Sequence, residues 1–116
     1  MSTIYESSAI VNSWNAVDEE TKLVIPCDQK GFITPAKDTT IIFENPNDES
    51  TYKYVDVSTL VFTNGKSPTK LVINDNDKYP FYLDPYEVRG FDYIRIWKFK
   101  VIETGGFYYE GLTSRS

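Results

Sequence analysis

The amino-acid sequence predicts an all-β fold, a single-domain antiparallel β-sandwich, immunoglobulin-like or jelly-roll-like, of about eight or nine short strands. Three observations carry this expectation. Short runs rich in β-branched and aromatic residues recur, and turns built from Gly, Pro, Asn and Asp interrupt them about every 8 to 12 residues. The composition is 41% hydrophobic and 16% aromatic, which suits pleated, half-buried surfaces. No amphipathic helical stretch is visible, which argues against parallel strands joined by helical crossovers. The 116 residues suit one domain, with a polar arm over 1–8, a sandwich over 9–112 and a polar tail over 113–116.

Residues 9–17 read as a strand, with Ile10, Trp14 and Ala16 on one parity and Val11 and Val17 on the other, while Asn12, Ser13 and Asn15 leave a short helix open. Asp18-Glu19-Glu20 makes an acidic turn, and Thr21 to Ile25 resumes an extended run that Pro26 ends by lacking an amide. Asp28-Gln29-Lys30-Gly31 is a turn before the short strand Phe32-Ile33-Thr34-Pro35. Thr39 to Asn45 is a strand of β-branched and aromatic residues, stopped by Asn45-Pro46-Asn47-Asp48. Tyr52 to Phe62 alternates and then runs apolar, a change that a bulge near Ser58 explains.

Asn64-Gly65 is a tight-turn signal, because both residues tolerate positive φ. Lys70 to Ile73 is the next strand and Asn74-Asp75-Asn76-Asp77 a polar loop. Tyr79 to Leu83 and Glu87 to Arg89 flank the corner Asp84-Pro85-Tyr86. Phe91 to Ile102 reads as one long central strand, apolar on both faces, with Trp97 expected in the core. Thr104-Gly105-Gly106 turns the chain into a last strand, Phe107-Tyr108-Tyr109.

The absence of histidine removes the usual general base and a common metal ligand, so no Ser-His-Asp or Cys-His site forms within the chain. Cys27, the single cysteine, has no thiol partner for a disulfide or a zinc site and reads as a small packing residue. Asp75-Asn76-Asp77 is rich in oxygen but lacks the Gly and distal Glu of an EF-hand loop, and so reads as a solvated turn. Gly105-Gly106 lacks the Lys of a phosphate cradle. The expectation is therefore no enzyme, no cofactor and no metal.

Twelve Lys and Arg against seventeen Asp and Glu give a net charge of -5 without a basic run, which disfavours nucleic acid. No apolar run approaches the ~20 residues of a membrane span, and the start carries neither the positive region nor the apolar core of a secretory leader. The expectation is a chain with no membrane partner and no cleaved leader.

At Leu83-Asp84-Pro85-Tyr86-Glu87-Val88-Arg89-Gly90-Phe91 the chain resembles a phrase of immunoglobulin-like sandwiches, in which Pro and Glu lead into a penultimate strand. The order of segments over residues 20–103 is similar to small tailed-bacteriophage virion proteins of the head-decoration and head-accessory type. Val24-Ile25-Pro26-Cys27-Asp28, the strand Asp38 to Asn45 and the Leu83 to Phe91 corner carry that likeness. A glycine-rich middle, frequent in such domains, is replaced here by Tyr52-Lys53-Tyr54-Val55-Asp56. The resemblance implies a noncatalytic virion structural protein that decorates or cements the capsid. It would be a homo-oligomer, made in the host cytoplasm and carried in the virion, with capsid or other virion proteins as partners.

The aromatic residues exceed what one small core absorbs, and exposed rings make protein or sugar contacts. The expected partner contacts are Ile4 and Tyr5 in the arm, Tyr79, Phe81, Tyr82 and Tyr86 around the corner, and Phe107, Tyr108 and Tyr109 in the last strand. The alternative is a carbohydrate-binding module or adhesin domain that uses Trp14 and the tyrosines as stacking surfaces.

Overall fold

The computed structural model of the chain describes residues 10–43, 57–76, 78 and 80–113. Among them, nine strands follow in chain order: β1 (Ile10–Asn12), β2 (Val17–Asp18), β3 (Thr39–Ile42), β4 (Val57–Asn64), β5 (Thr69–Ile73), β6 (Phe81–Leu83), β7 (Val88–Ile96), β8 (Lys98–Glu103) and β9 (Phe107–Thr113). A single 3-10 turn, Ser13–Asn15, separates β1 from β2. Residues 9–17 thus contain both the strand and the short helix that their pattern left open. Thr21 to Ile25 does not form the expected strand and contributes one isolated bridge, Val17 to Val24.

All strand pairs are antiparallel, in a four-stranded sheet ordered β1-β9-β4-β7 and a five-stranded sheet ordered β2-β3-β8-β5-β6. The expected β-sandwich is the fold. Setting aside the two-residue β2, the chain changes sheets at every connection except the β5–β6 hairpin, and the first strand pairs with the last. That is jelly-roll connectivity; an immunoglobulin sandwich would instead set its first strand beside its second. Of the two forms left open by the sequence, the jelly roll holds.

Alternation along the strands fills the space between the sheets. Val57, Leu60 and Phe62 of β4, Phe99 and Val101 of β8, and Phe107 and Tyr109 of β9 are buried. Phe62 is the hub, with the rings of Phe81, Phe91, Phe99, Phe107 and Tyr109 centred 5.2 to 6.3 Å from its own. Three of these contacts are tilted and two are edge-to-face, the offset geometries that aromatic quadrupoles favour. The bulge expected near Ser58 is present as a register shift between Val57 and Thr59. Gly111 lies opposite it because an added Cβ would run into the Thr59 carbonyl and the Val57 side chain.

The single long strand expected over Phe91 to Ile102 is two strands in different sheets. β7 ends at Ile96, β8 begins at Lys98, and Trp97 sits at the crossing, 43% exposed rather than in the core. Asn74 fixes this crossing from a distant part of the sequence. Its side-chain amide donates to the Arg95 carbonyl (3.1 Å), its side-chain oxygen accepts from the Trp97 amide (2.9 Å), and its backbone amide donates to the Lys98 carbonyl (2.8 Å).

At the start of β7, a second asparagine ties the loops together. Buried Asn64 donates through Nδ2 to the carbonyls of Ser67, Leu83 and Asp84 and accepts the Thr69 hydroxyl at 2.6 Å. Its amide is thereby fully used, as burial requires. The Asp84-Pro85-Tyr86-Glu87 corner docks there, with the Glu87 amide donating to the Asp84 carbonyl and the Tyr86 amide to the Gly65 carbonyl.

Candidate binding face

Four strands present their outward side chains in rows across one face of the sandwich. The pairing register places Ile10, Leu112, Thr59 and Asp92 in one row, and Asn12, Glu110, Val61 and Gly90 in the next. Tyr108, Thr63 and Val88 form a third, shorter row. These positions follow directly from the period of two, because Val11, Tyr109, Leu60 and Phe62 point the other way.

The face is apolar where a solvated sheet would be polar. Ile10, Leu112, Val88 and Ile94 are among the exposed large hydrophobics of the chain. Ile10, Thr59, Val61, Glu110, Gly111 and Leu112 line one shallow depression, and Ser58, Thr59, Asp92, Ile94 and Arg95 line another that shares Thr59 with it. Glu110 and Asp92 are the carboxylates of the face, and both are exposed.

An aromatic step bounds this face beside β1. Trp14, 46% exposed, stands in the 3-10 turn, where its amide donates to the Asn12 side chain at 3.0 Å. Gly31, at φ +85°, lies against it: an added Cβ would come within 2.8 Å of Trp14 Nε1 and 3.0 Å of Tyr108 Cδ1. Glycine therefore lets two rings approach one point of backbone. The buried Ser13 hydroxyl donates to the Gly31 carbonyl and holds the loop in place. Partial burial raises the Tyr108 phenol above its ordinary range, and the Glu110 carboxylate raises it further.

The aromatic residues expected to meet a partner fall into separate environments. Phe107 and Tyr109 are corrected from contact residues to core residues, at 0% and 1% exposure. Their neighbour Tyr108 points outward, with its ring 6.4 Å from that of Phe32. Burial also pushes the Tyr109 phenol far above the usual tyrosine range. Phe81 is half-buried and packs edge-to-face on Phe91, with centroids 4.9 Å apart.

Tyr82 is exposed on β6, the edge strand of the five-stranded sheet, with Lys70 Nζ 5.3 Å from its ring centre. Tyr86 is 73% exposed at the corner. Ile4, Tyr5 and Tyr79 lie outside the described residues, as do the arm and most of the tail. Ile10, Val88, Ile94 and Leu112 were not expected as contacts. Their signal lay in Glu110, whose charge marks the outward parity of β9 and hence of Leu112.

The opposite outer face has a different chemistry. Thr40, Lys100 and Val72 form a row across β3, β8 and β5, with Lys98 beside Ile42 and Lys70 beside Tyr82. Lys98 bonds Asp75 at 2.8 Å and lies 3.6 Å from Glu19. The hydrogen bond to Asp75 is the main cause of its raised pKa, against a smaller opposing effect of burial. Among the described residues, no group of three or more Cys, Asp or Glu side chains is placed to hold a metal ion, and no helix is long and apolar enough to cross a membrane.

No family model matches the chain, and no curated protein matches it. Among solved structures, a mutant of CBM29-2, a family 29 carbohydrate-binding module, is similar over 100% of this chain and 87% of that one. The identity is 10% and the TM-score 0.35, a likeness too slight to carry an argument about this chain.

Proposed function

We propose that this protein is a noncatalytic accessory subunit that docks onto a protein assembly through the outer face of its four-stranded sheet. The observation that carries the reading is the set of exposed aliphatic side chains Ile10, Leu112, Val88 and Ile94 on that one face. Aliphatic area released from water drives protein association. The assembly we propose is the head of a tailed bacteriophage, following the resemblance carried by the Val24 to Asp28, Asp38 to Asn45 and Leu83 to Phe91 segments. Repeated copies on a shell would turn a modest single contact into firm attachment.

Sugar binding through a broad aromatic platform is the weaker reading, because the exposed rings are dispersed. Trp14 follows β1, Tyr82 lies on β6, Tyr86 occupies the corner before β7, and Trp97 follows β7 at its far end. The Trp14 and Tyr108 pair over Gly31 is the feature that favours a sugar. Titration with soluble polysaccharides tests it, and an unchanged tryptophan emission spectrum removes it.

Co-sedimentation of the purified protein with phage heads that lack it tests the leading reading. The wild-type chain is expected to pellet with the heads at saturable stoichiometry, and Leu112→Lys to remain in the supernatant with its fold intact. Failure of the wild-type chain to associate with any virion fraction would overturn the proposal.

A further inference from the structure

We infer that Asn64-Gly65 is a deamidation site held shut by the fold, and that a chain left unfolded loses through it the ability to refold. Asparagine followed by glycine is the pair most open to this reaction, because no side chain shields the next backbone nitrogen. Hydroxide removes the Gly65 amide proton, and the nitrogen attacks Asn64 Cγ. The new N–Cγ bond closes a five-membered imide, the Cγ–Nδ2 bond breaks, and ammonia leaves. Water then opens the imide at one carbonyl or the other, leaving aspartate or isoaspartate at position 64. The net change is one water consumed and one ammonia released.

The folded chain closes each step. Asn64 is 2% exposed at the end of β4. Its Nδ2, the leaving group, donates to the carbonyls of Ser67 (2.9 Å), Leu83 (3.2 Å) and Asp84 (2.9 Å). Its Oδ1 accepts the Thr69 hydroxyl at 2.6 Å. With that proton committed, the Thr104 hydroxyl donates to Thr69 at 2.8 Å and accepts the Gly106 amide at 3.0 Å. The nucleophile is engaged as well, because the Gly65 amide donates to the Gly106 carbonyl at 3.0 Å. Asn64 Cγ therefore cannot swing onto the Gly65 nitrogen without releasing the β4–β5, β6–β7 and β8–β9 connections together.

Both residues are demanded here, which explains why so reactive a pair is present. At Gly65 an added Cβ would lie 2.8 Å from the Gly106 carbonyl oxygen, so the approach of the two loops excludes a side chain. At position 64 a carboxamide supplies donors for three carbonyls and an acceptor for a hydroxyl at once. The products do not fit. An aspartate carboxylate has no N–H to give, and it would face the Ser67, Leu83 and Asp84 carbonyls as a buried anion. Isoaspartate lengthens the backbone by one carbon between two amides that bond Glu87 and Gly106. Folding and this chemistry compete for the same two residues, and modification of the unfolded chain makes unfolding one-way. The inference does not depend on what the outer face docks onto.

The test uses the wild-type full chain, held under reducing conditions at mildly alkaline pH with and without guanidinium chloride. Peptide mass mapping reads the conversion of amide to acid at Asn64. The expected result is conversion in denaturant and a rate at least about a hundredfold lower in the folded chain, where reaction waits on opening. After timed denaturation the denaturant is diluted, and the chains that refold are separated by size exclusion from those that do not.

The refolded fraction is expected to retain Asn64, and the fraction that fails to refold to carry the conversion. An Asn64 that stays intact in denaturant overturns the proposal, as do equal rates with and without denaturant. Conversion at position 64 in equal proportion in the two fractions overturns it too.

Discussion

The two outer faces of the sandwich are built from the same period-two pattern and have opposite chemistry. The five-stranded sheet turns Lys70, Lys98 and Lys100 outward beside Thr40 and Tyr82. The four-stranded sheet turns out Ile10, Leu112, Val88 and Ile94 with Glu110 and Asp92. A sheet needs one apolar face to make a sandwich, and on the outer face of the five-stranded sheet the apolar residues Ile42 and Val72 are themselves buried, at 3% exposure each. The four-stranded sheet is apolar on both faces, which folding alone does not require and which an accessory subunit would use.

The largest effect should come from the core that both faces share. Phe62→Ala removes the ring at the centre of five aromatic contacts and is expected to cost about 3 to 5 kcal/mol, measured by denaturant unfolding. Trp97→Ala should cost clearly less, because 43% of the residue already meets water. Equal losses for the two variants would mean that Trp97 is as buried as its sequence pattern suggested.

Next in size is the contrast between the faces themselves. Leu112→Lys is expected to lower binding to phage heads at least about tenfold, a change of about 1.4 kcal/mol. Lys100→Glu, on the other face, should leave binding unchanged, and Leu112→Lys should melt near the wild type. A reversed pattern would move the docking surface to the lysine face.

The corner before β7 offers two smaller tests. Tyr86 adopts φ +63° where glycine or asparagine is usual, so Tyr86→Gly is expected to raise stability by up to about 1 kcal/mol, seen as a higher Tm. Glu87 accepts the Asp84 amide at 2.7 Å and pairs with Arg89 at 2.5 Å. The Asp84 hydrogen bond, then Arg89, hold its carboxyl below the ordinary glutamate range. A carboxylate depressed on folding stabilises the native state above its unfolded pKa, and the gain disappears as pH falls through that range and below it. Glu87→Gln should therefore flatten the acid limb of the stability profile below about pH 4.5 and leave the alkaline limb alone.

Much of the architecture was legible in the sequence because strands and turns are local. The bulge near Ser58 and the Thr39 and Lys70 strands follow from residues within a few positions of one another, whereas Asn64-Gly65 makes no tight turn: neither residue has positive φ, Asn64 ends β4, and β5 lies in the other sheet. The break at Trp97 was not legible. Phe91, Phe99 and Val101 share one parity, so the run looks continuous in sequence, although Ile96, of the other parity, is also fully buried. The cause of the break is Asn74, more than twenty positions upstream.

The candidate site was hidden for a related reason. In sequence Phe107-Tyr108-Tyr109 reads as one aromatic cluster, although strict alternation sends the outer two rings to the core and Tyr108 to the surface. Aliphatic side chains attract no notice in a strand, and only the register of β1, β9, β4 and β7 brings Ile10, Leu112 and Val88 onto one face.

Hydroxyl-radical footprinting of the protein free and bound to phage heads tests the central claim most directly, because it reads side-chain exposure residue by residue. The account predicts protection of Ile10, Val88, Ile94 and Leu112 on binding, with Tyr82 on the lysine-bearing sheet as reactive as in the free protein. Protection of Tyr82 with those four aliphatic residues unchanged would contradict it.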